Sequence, residues 1–512
     1  MTPDDDACYR ALAARDVRFD GLFFVGVKTT GIYCRSVCTA KTPRRSSCRF
    51  FSGAALAERA GFRPCLRCRP ELAPGHAPLD AARNIARAAA ARIEAGALND
   101  LSAHDDAIGT RGLERLAAML GLSSRQLRRA VRKEFGVSPI ELAQTQRLLL
   151  AKRLIAETEL PMTQVAFASG FASVRRFNAL FRKHYRLAPT ELRRGVTSSL
   201  VADRIRLTLA YRPPLDWPAL LEFFAARAIP GVECVMGEAY NRTVAIGEHR
   251  GVLRVTQCAD RHALDVELST ALAPALPTIL VRLRNLFDLD ARPDVVAAHL
   301  SQDPRLAELV AQRPGLRVPG AFDSFELGLR AILGQQVSVR GASTLAGRFA
   351  RRFGEPVAMP LPAEAACLDR FTPTAHALSA ARTSTLAGLG VPSTRAETLR
   401  RFADAVARGD VDLEPGGDPS VVVVRLLAIP GIGPWTAEYI AMRALRRPDA
   451  FPSGDLGLLK AMQTKSAKQL ARVAEPWRPW RAYAAMHLWQ SLKSEPREAD
   501  PKRNLCTMEF RR

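Results

Sequence analysis

Two close cysteine pairs, Cys34-Xaa-Xaa-Xaa-Cys38 and Cys65-Xaa-Xaa-Cys68, constrain this chain more than any other feature. Pairs at that spacing, joined by a loop, let four thiolates reach one tetrahedral zinc ion, so the first seventy-odd residues predict a metal-anchored module. On spacing alone the default is a purely structural zinc knuckle. Ahead of it, the alternation Phe23-Phe24-Val25-Gly26-Val27 predicts a strand running into a turn at Thr30-Gly31. Cys8 and Cys48 lie outside the pattern and read as ordinary thiols.

A chain of 512 residues exceeds one hydrophobic core and predicts several domains. The formal net charge of +23 points to a polyanionic partner, nucleic acid first, although arginine-rich usage can raise the charge without a function. No stretch approaches the roughly 20 apolar residues of a membrane span. The acidic start Met1-Thr2-Pro3-Asp4-Asp5-Asp6 is unlike a signal peptide, so we expect a cytoplasmic protein without membrane partners. In that reducing compartment, structural disulfides are not expected among the ten cysteines.

Residues 70–78 read as a linker, and residues 79–195 as helical, with Asp80 as a candidate N-cap before a helix over 81–95. Within this stretch the helix 113–119, the turn Gly121-Leu122-Ser123 and the helix 124–135 fit a helix-turn-helix. Residues 162–169, Gly170-Phe171 and 173–185 repeat it. One such pair would equally be a plain helical hairpin; a tandem favours DNA. The exposed faces carry Arg125, Gln126, Arg128 and Arg129, then Arg175, Arg176 and Asn178, all able to reach bases or phosphates. From Ser198 onward, runs such as Arg206-Leu207-Thr208-Leu209-Ala210-Tyr211 and Leu253-Arg254-Val255 alternate like antiparallel strands. Helices dominate again after Leu289.

Near the C-terminus, Ile429-Pro430-Gly431-Ile432-Gly433-Pro434-Trp435-Thr436 has the form of a helix-hairpin-helix. Its glycines permit a tight turn and Pro434 suits a first helical position. Backbone N–H groups there, around Gly431, Gly433 and Thr436, can hold a DNA phosphate, though the same phrase also serves as a simple inter-helix turn.

These segments resemble known families. Thr29-Thr30-Gly31-Ile32-Tyr33-Cys34-Arg35 and Gly61-Phe62-Arg63-Pro64-Cys65-Leu66-Arg67-Cys68 are similar to the N-terminal domain of bacterial Ada proteins. The resemblance implies a zinc site of four cysteines, Cys34, Cys38, Cys65 and Cys68, in which Cys34 is also a nucleophile for the methyl of a DNA methylphosphotriester. It also implies Arg63, Arg35 and Lys41 as phosphate contacts. Phe171-Ala172-Ser173 and the phrase from Phe181 to Pro189 resemble the AraC-type activator domain, which implies promoter DNA and RNA polymerase as partners. The Pro-Cys-His-Arg context of an O6-methylguanine methyltransferase does not occur, so that activity is not expected.

From Leu207 to Leu492 the chain resembles AlkA-type 3-methyladenine DNA glycosylases, through Ala225-Ala226-Arg227-Ala228, Arg330-Ala331-Ile332-Leu333-Gly334-Gln335, the hairpin, and Phe451-Pro452-Ser453-Gly454-Asp455. The resemblance makes Asp455 the catalytic carboxylate. It makes Trp435, Tyr439, Trp489 and Phe223 the base pocket and puts Gln336 where relatives carry a wedge. A monovalent cation is implied on the carbonyls of Leu427, Ile429 and Ile432. Leu456 follows Asp455 where one relative type has an aromatic. No lysine aligns as a Schiff-base nucleophile, so a monofunctional glycosylase is implied.

The fold expected is multidomain and mainly α with α+β parts. It comprises a zinc module over 1–76, a tandem helix-turn-helix over 79–195, a mixed α-β domain over 198–289, a helix-hairpin-helix glycosylase bundle over 290–494 and a loose tail over 495–512. Such a chain would act as a monomer on damaged and promoter duplexes in the nucleoid. The rival reading is a zinc-switched transcription factor whose glycosylase-like half only binds DNA.

Overall fold

The computed structural model describes residues 5–15, 23–51, 54–68, 70, 78–99, 107–158, 160–193, 204–414 and 419–494. Most of the expected linker and the whole expected tail lie outside them. The chain divides into two compact units, one made of Met1–Ile93 with His104–Thr145, the other of Glu94–Ala103 with Gln146–Arg512.

In the first unit, β1 (Phe24–Val27) pairs antiparallel with β2 (Ile32–Arg35) and β3 (Cys48–Phe51), and β4 (Arg63–Pro64) runs parallel to β2. Gly31, at φ +63°, makes the β1–β2 turn. Position 26 must be small, because a Cβ there would lie 2.9 Å from ring atoms of both Phe51 and Phe62. The core around the sulfurs is little more than Leu12, Val25 and five cysteines. Apolar packing is sparse at the sulfurs themselves, which is where a metal would contribute.

The first helix-turn-helix follows the sequence closely. Helix Ala107–Met119 ends before Gly121 in the left-handed region, and helix Ser124–Phe135 begins on a capping box between Ser123 and Gln126. Leu127, Ala130 and Val131 turn inward while Arg125, Arg128 and Arg129 stay exposed. Upstream, helix Pro78–Glu94 starts earlier than expected. Asp80 falls inside its first turn, because Pro78 has no N–H to lose and is itself suited to a helix start.

The second unit opens with the repeated motif. Helix Met162–Ala168, Gly170 at φ +84° and helix Val174–Tyr185, capped by Ser173, enclose Phe171, Phe177 and Phe181. A five-stranded antiparallel sheet follows in the order β5-β9-β8-β7-β6, from β5 (Arg204–Ala210), β6 (Glu233–Met236), β7 (Ala239–Ile246), β8 (His249–Gln257) and β9 (Ala263–Ser269). Its core is continuous with the second motif, with helix Leu276–Leu286 and with the C-terminal helix Arg481–Ser494. A second core gathers helices Ser324–Leu333, Val339–Phe353, Ser393–Ala407 and Pro434–Arg443.

One expectation fails here. Cys234, on β6, and Cys367 form a disulfide. The expectation rested on compartment, whereas proximity is set by the chain: the bridge pairing Gly231 with Leu368 brings the two segments together.

Candidate functional site

Two sites carry chemistry. In the first unit the Sγ atoms of Cys34, Cys38, Cys65 and Cys68 lie within 4.8 Å of one another, all buried. Four sulfurs about 2.3 Å from a common centre would stand roughly 3.8 Å apart, so the cluster fits a tetrahedral zinc ion. Hydrogen bonds from its sulfur neighbours hold the Cys34 thiol far above the ordinary range and Cys38 far below it. Four buried sulfurs this close together call for countercharge, which a divalent cation would supply. Cys34 is on β2, opposite Val25, so the sheet fixes its place in the cluster. Around it, Arg63 and Lys41 reach solvent, whereas Arg35 is only 1% exposed and therefore enclosed. On the recognition helices Arg175 and Arg176 are exposed and Asn178 is half-buried. Gln126 spends its amide oxygen on the Ser123 N–H at 2.9 Å, leaving its NH2 for other partners.

The second unit holds a cavity of about 1170 Å³. Asp455 stands at its wall as the N-cap of helix Leu456–Ala461, Oδ1 accepting from the Leu458 N–H at 3.0 Å. The same oxygen accepts from Trp489 Nε1 at 2.8 Å, and Oδ2 accepts from Trp435 Nε1 at 2.9 Å. Three N–H donors on two oxygens fix the plane of the carboxyl group. Trp435 stacks on Tyr439, with centroids 5.3 Å apart at 12°. The hairpin packs beside them. Gly431 sits at φ +92°, and a Cβ there would lie 2.0 Å from Thr398 Oγ1. Gln335 Nε2 donates to the Gly431 carbonyl at 2.9 Å and to Thr436 Oγ1 at 3.0 Å, so the Thr436 side chain is used internally. The Ile429 carbonyl accepts the Ile432 N–H at 3.0 Å. Gln336, exposed and in the left-handed region at φ +57°, stands at the cavity's lining.

The sequence reading missed the cations. Arg227 and Arg330 line the cavity, and Arg443 donates to the Tyr439 hydroxyl at 2.8 Å. Phe223, expected to face a base, already meets the guanidinium of Arg227 at 3.9 Å and that of Arg443 at 4.8 Å. Burial raises the Tyr439 phenol, but Arg443, Arg227 and Arg330 outweigh it and bring it down to about 8. The signal was present: Arg330 interrupts the otherwise apolar run Leu327 to Leu333, where an arginine is costly unless it has a task.

A carboxylate held by indole N–H groups beside a glycine-turned hairpin, with a separate four-sulfur cluster, defines a helix-hairpin-helix DNA glycosylase carrying a zinc module. Family comparison agrees. The metal binding domain of Ada matches residues 7–71, a helix-turn-helix domain 116–195, the AlkA N-terminal domain 206–323, and the HhH-GPD superfamily of base excision DNA repair proteins 329–471. The chain belongs to the family of bifunctional transcriptional activator/DNA repair enzymes of the AlkA type. It is 37% identical over 99% of its length to the whole of the probable bifunctional transcriptional activator/DNA repair enzyme AlkA of Mycobacterium tuberculosis. Over 57% of its length it is 40% identical to 99% of DNA-3-methyladenine glycosylase 2 of Escherichia coli. Over 14% it is 46% identical to 20% of the Escherichia coli Ada activator/repair enzyme. Among the described residues no helix is long and apolar enough to cross a membrane.

Proposed function

We propose that the second unit hydrolyses the glycosidic bond of alkylated purines, with Asp455 as the catalytic carboxylate. The observation that carries this reading is the double indole clamp: both oxygens of Asp455 are oriented toward one cavity by Trp435 and Trp489. As the C1′–N bond breaks, its electron pair leaves with the base and positive charge grows on the sugar. A fixed carboxylate stabilises that charge and orients the water whose oxygen bonds to C1′. A cationic alkylated base takes that electron pair and leaves uncharged, and the proton lost by the water passes to solvent, so no lysine and no strand cleavage are required. Gln336 fills the vacated stack. Backbone N–H groups at Gly431, Gly433 and Thr436 hold a phosphate, and the carbonyls of Leu427, Ile429 and Ile432 would hold a monovalent cation.

Cys34 is the acceptor of the first unit. The sulfurs of Cys34, Cys38, Cys65 and Cys68 would hold zinc, which would keep the Cys34 sulfur a thiolate near neutral pH. The Cys34 sulfur forms a bond to the methyl carbon of a methylphosphotriester while the carbon–oxygen bond breaks, its electrons returning to the phosphodiester. The thioether is a poor leaving group, so the transfer is irreversible. It also removes one negative charge from the cluster and reduces repulsion from DNA, converting damage into tighter promoter binding by the paired recognition helices and recruitment of RNA polymerase. The protein acts in this reading as a cytoplasmic monomer on duplex DNA.

The test is release of methylated purines from alkylated duplex DNA by wild type and Asp455→Asn, with binding measured in parallel. Excision by wild type alone, with binding retained by both, supports the enzyme. No excision by folded wild type leaves a transcription factor with an inactive half.

A further inference from the structure

Apart from one disulfide pair, every cysteine among the described residues is buried. Cys234 is half-buried and Cys367 exposed, so this pair is where an oxidant or reductant in solution can act. The two sulfurs do not owe their proximity to the bond between them. The Gly231 carbonyl accepts from the N–H of Asp369 at 2.8 Å and of Arg370 at 3.0 Å, and Thr243 Oγ1 donates to the Arg370 carbonyl at 2.9 Å. Leu368 and Val232 beside them are buried. Backbone bonds and packing therefore keep Cys234 and Cys367 adjacent as free thiols, which lets the bond open and close without unfolding. Each cysteine also follows an element of the cavity wall. Helix Trp217–Arg227, which supplies Phe223 and Arg227 to the lining, leads through Ile229 and Val232 in the second core to Cys234 on β6. Helix Val339–Phe353, whose Val339 and Ala342 line the same cavity, leads to the segment of Cys367.

We infer that Cys234 and Cys367 are a reversible thiol–disulfide pair, oxidised by a peroxide and reduced by a dithiol, whose bond staples the segments following two cavity-wall helices and stiffens the second unit in oxidising surroundings. The Cys367 thiolate attacks one peroxide oxygen, the O–O bond breaks, and the other oxygen takes up the thiol's proton and leaves as water, giving a sulfenic acid. The Cys234 thiolate attacks that sulfur, the S–S bond forms, the S–O bond breaks, and a second water leaves. Two thiols and one peroxide thus become one disulfide and two waters. A dithiol reverses this in two exchanges. Its first thiolate forms a mixed disulfide and frees one cysteine; its second frees the other and closes the reductant's own disulfide. Cys234 and Cys367 are 133 residues apart, so the closed bond removes chain entropy from the unfolded state, while contacts already in place spare the folded state any large adjustment.

The experiment treats the full chain with hydrogen peroxide or with dithiothreitol, without denaturant, then blocks free thiols and maps the peptides. Peroxide should join the peptides of Cys234 and Cys367, and dithiothreitol should free both. Melting is followed by tryptophan fluorescence, which reads the second unit alone because all five tryptophans lie there. The oxidised chain should melt about 5 °C above the reduced chain. Cys234→Ser and Cys367→Ser should each melt with the reduced chain after either reagent. Cys234 and Cys367 left unjoined by peroxide overturns the inference. So does a bond that dithiothreitol opens only in denaturant, which makes it a permanent structural link, and so does an equal melting temperature for the joined and the reduced chain. Base release is not read, so these outcomes leave the glycosylase reading untouched.

Discussion

The cysteine cluster and the carboxylate cavity both present an electron-rich group to DNA, but they hold it in opposite ways. At Cys34 the sulfur is crowded by three other sulfurs, with little buried apolar packing beside them beyond Leu12 and Val25, so charge is gathered and a metal would offset it. At Asp455 a single carboxylate is held by three neutral N–H donors within a large apolar unit, so charge is isolated and aimed. The first arrangement suits a nucleophile used once and then altered in charge. The second suits a group that returns unchanged after each turnover.

Removing the metal should separate the two most sharply. Zinc binding supplies on the order of 10 kcal/mol to small cysteine domains, so a chelator should unfold the N-terminal module, read as new protease cleavage between Tyr9 and Cys68. Excision by the same sample should persist; a parallel loss of excision would break the comparison.

Acid should do the converse. His487, on the helix that carries Trp489, is buried, and burial pushes it down to about 4. The fold disfavours its charged form, so stability is intact above the unfolded value near 6.5 and is lost as pH falls from there toward 4, by about 3 kcal/mol. Thermal melts of His487→Gln, a neutral replacement, should show a shallower decline over that window. An unchanged slope would remove His487 from the account.

The indole clamp can be sharpened with smaller changes. Trp489→Phe deletes one donor to Asp455 and keeps most of the ring, so single-turnover excision should drop about tenfold while DNA affinity holds. Loss of affinity without loss of rate would make Trp489 a DNA contact instead.

Much of this was legible in the chain because it is written in local spacing. The cysteine pairs, the duplicated turns at Gly121 and Gly170 and the hairpin glycines each declare a structure within a few residues. What escaped was assembled from afar. Arg227, Arg330 and Arg443 meet Tyr439 only after folding, and no periodicity marks a buried guanidinium as part of a pocket. The Cys234–Cys367 disulfide, separated by 133 residues, escaped for the same reason. Arg35, which the Ada resemblance offers as a phosphate contact, lies on β2 and is buried.

The most direct test of two independent chemistries in one chain is a single DNA substrate carrying both a methylphosphotriester and 7-methylguanine, offered to wild type, Cys34→Ser and Asp455→Asn. Methyl gain by mass spectrometry and base release by chromatography are followed together. The account predicts that Cys34→Ser releases base without gaining a methyl, and that Asp455→Asn gains one methyl on Cys34 without releasing base. Base release by Asp455→Asn at the wild-type rate, or methyl gain by Cys34→Ser, would contradict it.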